Sequence, residues 1–219
     1  TTSPAGLAVS FTYNGTGTAP INAGTYPVVA TVNDLNYAGT QNGSLVISKA
    51  DQTITFADLP SKPLDSGSFN LGATASSGLA ISYAASSPSV GTVATIAGNA
   101  VSLVNTGTLT ITASQAGDTN YNAASPAAKV LTVLNQSQDV VFDAGQVPAK
   151  TFGAAPFLVS ATSNRSLLVS FISSNLAVAT VAGSSLSGNT STASVTIVGG
   201  GTATITARQV GDANTAAAA

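Results

Sequence analysis

The chain has 219 residues, of which only 6% are charged, against roughly a quarter in ordinary globular proteins; six Lys/Arg and eight acids, all of them Asp, leave a net charge of −2. His, Cys, Met, Trp and Glu are absent, so the usual zinc, haem, iron–sulfur and thiol chemistries have no ligands and no disulfide can staple a fold. Nor are there the clustered Lys and Arg that nucleic acid needs, a basic amphipathic helix for a membrane surface, or an apolar run of about 18 residues to cross one.

The length allows two or three domains at roughly 100 to 150 residues each. Apolar residues make up 44% and alternate in short runs bounded by Gly, Asn, Asp and Pro, a pattern of half-buried strands rather than of disorder. Residue 1 is threonine, not methionine, so the chain is expected to be a processed product or an excerpt of a longer one.

Residues 1–50 read as the later part of one repeat. Leu7 to Tyr13 alternates with period two, Asn14-Gly15 is a hairpin-turn signal, Val28 to Val32 is a strand, and Gly43 to Ser48 is a closing strand. Residues 51–134 hold a complete repeat. Ile54-Thr55-Phe56 opens it, Pro60 and Pro63 break it, and Phe69-Asn70-Leu71 with Gly72-Ala73-Thr74 resumes it. Ile81-Ser82-Tyr83, a turn at Ser86-Ser87-Pro88, Val90 and Val93, Val101 to Leu103, Leu109 to Ala113 and Val130 to Leu134 complete roughly seven short strands. Residues 135–219 follow the same plan. Val140-Val141-Phe142, Phe157-Leu158-Val159, Val169-Ser170-Phe171, Val178 with Val181, and Ala203 to Ala207 answer the middle repeat in turn. Such spacing indicates β-sandwiches with little helix. The first repeat lacks opening strands and the third its last strand; they could complement one another between subunits, although a cut from a longer chain is the simpler reading.

One element recurs through all three repeats. Asp-x-Asn stands at Asp34-Leu35-Asn36, Asp118-Thr119-Asn120 and Asp212-Ala213-Asn214, spaced 84 and 94 residues apart, each following a strand. Recurrence at one small domain's length marks a tandem array.

On Gln52 to Phe56, Ala73 to Leu79, Ser86-Ser87-Pro88 and Thr108 to Asn122, residues 51–219 resemble tandem bacterial immunoglobulin-like repeats. On Thr12 to Gly15, Asn22 to Tyr26 and Leu45 to Ala50, residues 1–50 resemble the C-terminal part of an MBG-type domain. The resemblance implies an all-β array of tandem immunoglobulin-like sandwiches, elongated, in a large extracellular or cell-surface bacterial protein. It implies a spacer, stalk or adhesive role and no activity. Thr215 stands where the pattern has tyrosine, which predicts a differently built or packed third loop.

Few residues here could carry chemistry. The carboxylates and amides of Asp34, Asn36, Asp118, Asn120, Asp212 and Asn214 are calcium candidates. Against that, one carboxylate per loop is thin for an ion that takes six to eight oxygens, whereas Asp and Asn readily bond their own backbone in Asx turns. Scattered Asp do not make a glycosidase pair, and a Ser nucleophile lacks a His base or an adjacent Lys49, Lys62, Lys129 or Lys150. The sequons at Asn14, Asn42, Asn135, Asn164 and Asn189 read as turn residues. Phe56, Phe69, Tyr83, Phe142, Phe157 and Phe171 fall at matched strand positions and read as core; Phe11, Tyr13, Tyr26 and Phe152 stay open.

The expectation is thus a non-enzymatic segment without cofactor. It acts as a stiff extracellular spacer or assembles end to end, its partners being neighbouring repeats or other copies of itself. The alternative is an adhesive module for a surface glycan or protein.

Overall fold

The structure, a computed structural model, describes residues 1–87, 91–143, 145, 147 and 149–219; the expected turn residue Pro88 and strand residue Val90 lie outside these. The described residues form 18 strands and no α-helix, so the all-β expectation holds. Contacts group the chain into two compact units. One comprises Thr1–Asp58, Leu71–Ala84 and Ile111–Lys129, the other Leu59–Asn70, Ala85–Thr110 and Val130–Ala219.

In the first unit, β1 (Val9–Tyr13), β2 (Gly24–Val32) and β3 (Thr40–Ile47) form an antiparallel sheet, with Val9 opposite Val32 and Gly24 opposite Ile47. The Asn14-Gly15 signal makes its turn: both residues have positive φ, 47° and 81°, and Tyr13 and Thr16 exchange backbone hydrogen bonds across it. Asn42 does not follow its turn reading. It lies inside β3 opposite Val29, because the ladder along β2 outweighs the local Asn-Gly preference.

The described residues of 51–134 carry nine strands rather than about seven: β4 (Ile54–Thr55), β5 (Lys62–Pro63), β6 (Phe69–Asn70), β7 (Thr74–Ala75), β8 (Ser82–Ser86), β9 (Ala94–Ala97), β10 (Ala100–Leu103), β11 (Gly107–Ser114) and β12 (Ala127–Leu134). They make sheets in the order β5-β12-β11-β8, β6-β10-β9 and β4-β7. Pro63 does not simply break the chain; it ends a short strand paired in parallel with β12, Pro63 opposite Leu134. A sheet edge tolerates the missing N–H. The predicted alternation is clearest in β11, where Leu109, Ile111 and Ala113 are all buried and the residues between are not.

The second unit contains a two-sheet sandwich, without a described counterpart of β12. Strands β13 (Val140–Phe142), β14 (Phe157–Ser163), β17 (Thr190–Ile197) and β16 (Ala179–Ser187) form one sheet, and β15 (Ser170–Ser173) pairs with β18 (Ile205–Arg208) in the other. Val159, Ala161, Ala193 and Val195 from the first sheet close on Val169, Phe171 and Ala207. Strand β14 runs unbroken where the middle repeat splits into β6 and β7. Ser160 stands in place of Gly72, and glycine weakens a strand.

Two aromatic pairs repeat. Phe56 meets Tyr83 and Phe142 meets Phe171, each edge-to-face with centroids 6.0 Å apart. Phe69 and Phe157 are only half-buried, each capped by a lysine ammonium, Lys62 at 4.7 Å and Lys150 at 4.8 Å. Phe11 and Phe152 are exposed, and Tyr13 and Tyr26 half-buried.

Candidate functional site

The Asp-x-Asn loops are built as Asx turns. Asp118 Oδ1 accepts the N–H groups of Asn120 and Tyr121 at 2.8 and 2.9 Å; Asp212 Oδ1 accepts those of Asn214 and Thr215 at 2.9 and 2.8 Å. The third loop is therefore constructed like the second, and the difference expected from Thr215 lies in packing alone, Thr215 being buried where Tyr121 is half-buried. These bonds use backbone N–H groups, so a change of side chain leaves them intact, and Thr215 is buried beneath the turn. The first turn is simpler: Asp34 Oδ1 accepts the Asn36 N–H at 2.8 Å, and Asn33 precedes it where the others have Gly117 and Gly211 at φ near +78° and +79°.

A pair of glutamines that the sequence reading did not single out holds each of the two later turns. Gln52 Nε2 donates to Gln115 Oε1 and, at 2.7 Å, to the Asn122 carbonyl. Gln138 Nε2 donates to Gln209 Oε1 and, at 2.6 Å, to the Ala216 carbonyl. Ser77 and Ser163 donate to the respective Gln52 and Gln138 carbonyl oxygens. Gln115 and Gln209 in turn accept the N–H of Gly117 and Gly211. The available signal was glutamine recurring just before Ile54 and Val140, and two residues before each of these glycines.

With its Asp engaged, each of the two later turns projects its Asn at the preceding segment. Within the first unit, Asn120 Oδ1 accepts the Ala23 N–H at 2.8 Å and Asn120 Nδ2 donates to Asn22 Oδ1 at 3.0 Å. Within the second, Asn214 Oδ1 accepts the Thr106 N–H at 3.3 Å, Asn214 Nδ2 donates to Asn105 Oδ1 at 3.4 Å, and the Thr106 hydroxyl donates to the Ala213 carbonyl at 2.9 Å. The receiving loops share a form, Asn22-Ala23-Gly24 and Asn105-Thr106-Gly107, each leading into a strand.

The connecting residues are tied to the same turns. Ala50 N–H donates to the Asn120 carbonyl and its carbonyl accepts the Asn122 N–H, both at 2.8 Å; Gln136 does the same with the Asn214 carbonyl and the Ala216 N–H at 2.9 and 3.0 Å. Lys49 adds a bond to the Asp118 carbonyl, and Arg165 forms an ion pair with Asp65 while its Nε donates to the Ser137 carbonyl at 3.0 Å. Each connector thus has both its backbone N–H and its carbonyl satisfied by the turn.

Asp34, Asn36, Asp118, Asn120, Asp212 and Asn214 accordingly lie in three separate turns. Among the described residues no group of three or more Asp gathers as a metal site. The lysines weighed as bases go elsewhere: Lys49 to the Asp118 carbonyl, Lys129 to Asp58 at 2.6 Å, and Lys62 and Lys150 over rings. No helix among the described residues is long and apolar enough to cross a membrane.

The N–H of Asn214, followed by the Thr215 side chain and N–H, holds the Asp212 carboxyl below its ordinary 3.8. Because the folded value is depressed, the carboxylate's contribution is complete above pH 3.8 and is lost as pH falls through the folded value. Carbon-detected NMR titration should place the Asp212 midpoint below 3.8, and Asp212→Asn should remove that step from the acid limb of the stability profile. A midpoint at or above 3.8 would contradict the turn geometry.

Residues 1–51 match the family model of the MBG domain. A crystal structure of the N-terminal eight immunoglobulin domains of Down syndrome cell adhesion molecule, isoform 1.30.30, aligns over 93% of this chain and 31% of its own length, with 10% identity and a TM-score of 0.30. No curated protein matches the chain.

Proposed function

We propose that this chain, an MBG domain over residues 1–51 continued by β-sandwich repeats, is a non-catalytic, stiff spacer segment of an extracellular bacterial stalk, adhesin or filament. The observation that carries the reading is the repeated clasp. Two connectors of different sequence, at Ala50 and Gln136, are fixed by the same set of bonds from an Asx turn ahead to an Asn-x-Gly loop behind. A repeat whose contacts are limited to its neighbours gains stiffness from such joints. Low surface charge fits a role in which segments pack closely, since little charge need be desolvated.

The chain lacks cysteine, so Thr40→Cys and Thr55→Cys, both at exposed strand positions, allow clean spin labelling across the first joint. The label–label distance should be narrowly distributed and should broaden in Asn120→Ala, while the Ala23 amide exchanges about fivefold faster, corresponding to one lost hydrogen bond worth about 1 kcal/mol. A distribution equally broad before and after the substitution would remove the basis of the spacer reading.

A second reading, adhesion to a glycan or protein, draws on one feature of the first unit. A groove of about 670 Å³ beside β1 and β2 is lined by Leu7, Val9, Phe11, Val32 and Tyr37, of which Phe11 and Tyr37 are about half exposed. Aromatic faces of this kind stack on sugars. A glycan-array signal abolished by Phe11→Ala would favour it over the spacer.

A further inference from the structure

We propose that the Asp34–Tyr37 turn of one copy docks on the 199–201 loop of a second copy, repeating between molecules the clasp made twice within the chain. This rests on the spacer reading and names a partner for that turn and that loop.

The receiving half is identified by backbone equivalence. Val104 and Asn105 both donate N–H bonds to the Val93 carbonyl, just as Val198 and Gly199 do to the Val178 carbonyl. Gly107 and Gly201 then follow at φ 134° and 136°. Gly200 therefore occupies the place of Thr106, whose N–H meets Asn214. The Gly200 N–H is exposed and makes no hydrogen bond among the described residues. Gly199 stands where Asn105 would be, because a Cβ there would collide with the Ala177 carbonyl. The glycine loop thus keeps the backbone donor of the clasp and loses the side-chain acceptor.

The projecting half is the first Asx turn. The exposed side-chain carboxamide of Asn36 has no hydrogen-bond partner among the described residues, and its neighbours Leu35 and Tyr37 are fully and 48% exposed. Beside the 199–201 loop runs a groove of about 300 Å³ lined by Val147, Lys150 and Phe152, with Phe152 71% exposed. Apolar side chains therefore flank the polar contact on both halves, and Asp34 on one half is opposite in charge to Lys150 on the other. The corresponding edge of the middle repeat is already in use, Asp65 being paired with Arg165. The turn and the loop are different surfaces, so the contact is heterologous and propagates head to tail unless it closes into a ring.

The test is sedimentation equilibrium of the 219-residue chain over a wide concentration range. The average mass should rise with concentration without stopping at a dimer. Leu35→Asp and Phe152→Asp, at exposed sites away from the core, should each weaken association about tenfold or more, as loss of an interface anchor does. Mixed together, the two variants should form a one-to-one dimer and nothing larger, since each retains one good half. Gly200→Thr, where an added Cβ meets nothing within 4 Å, restores the hydroxyl seen at Thr106 and should strengthen association. A monomer at all concentrations, or association indifferent to both Leu35→Asp and Phe152→Asp, would overturn the proposal. The spin-label measurement across the first joint, repeated in the Leu35→Asp chain, reports on the spacer reading separately.

Discussion

Gly211→Ala is expected to lower the stability of the second unit by about 3 kcal/mol, the sum of two separable costs. The residue has φ +79°, where an L side chain costs about 1–2 kcal/mol. In addition, a Cβ would collide with the Thr215 carbonyl and lie 3.0 Å from the Ala216 carbonyl carbon and the Ala217 nitrogen. All of these are backbone atoms, so the turn itself must open. The bond from Asp212 N–H to the Thr215 carbonyl, 3.0 Å, and the one from Gly211 N–H to Gln209 are the ones at risk. Gly188→Ala separates the terms: its φ is +61°, but nothing lies within 4 Å of the added Cβ, so about 1 kcal/mol is expected. Urea unfolding of the two variants decides the matter. Equal losses would mean that the close approach to Thr215 does not constrain the turn.

Gln138→Leu is expected to cost about 3 kcal/mol, although leucine has nearly the volume of glutamine and the site is buried. Gln138 accepts from the Ser163 hydroxyl at 3.1 Å and donates to the Ala216 carbonyl at 2.6 Å and to Gln209. Ser163 is fully buried, so with leucine in place its hydroxyl loses a partner where water does not reach. The Ala216 carbonyl loses the same donor. Each buried polar group left unpaired costs about 1–3 kcal/mol. Adding Ser163→Ala removes one of those orphans, so the double variant should be less destabilised than the sum of the single losses. Strict additivity in that cycle would show the network to be a set of independent contacts. Because Gln209 also holds the Gly211 N–H, Gln138→Leu should raise exchange at Thr106, across the joint, as well as in the core.

The two substitutions bear on function because they act on the turn and not on the clasp. Asn214 can reach Asn105 and Thr106 while Asp212, Gly211 and Gln209 hold its backbone in place. A weakened glutamine pair should therefore loosen the joint with Asn214 itself unchanged.

Much of this was legible from residue order. Alternation in Leu109, Ile111 and Ala113 marked a buried strand face, Asn14-Gly15 marked a left-handed turn, and the Asp-x-Asn recurrence located the three loops. These are local signals: strand period, turn conformation and Asx capping are set by residues within a few positions of one another. The alternation of apolar residues in short runs bounded by Gly, Asn, Asp and Pro also pointed to an all-β chain, because nothing in it repeats at helical spacing. What the loops do was decided only in the folded state. Asn120 meets Asn22 across 98 residues, Asn214 meets Asn105 across 109, and Gln138 meets Gln209 across 71. At such separations partner choice depends on which sheets pack and at what register, and no short-range preference encodes it. The same holds for Pro63, a chain breaker by local rule that becomes an edge-strand residue because β12 lies alongside, and for Asn42, a turn former kept extended by its ladder to β2. Local chemistry chose the turns; long-range packing chose what they hold.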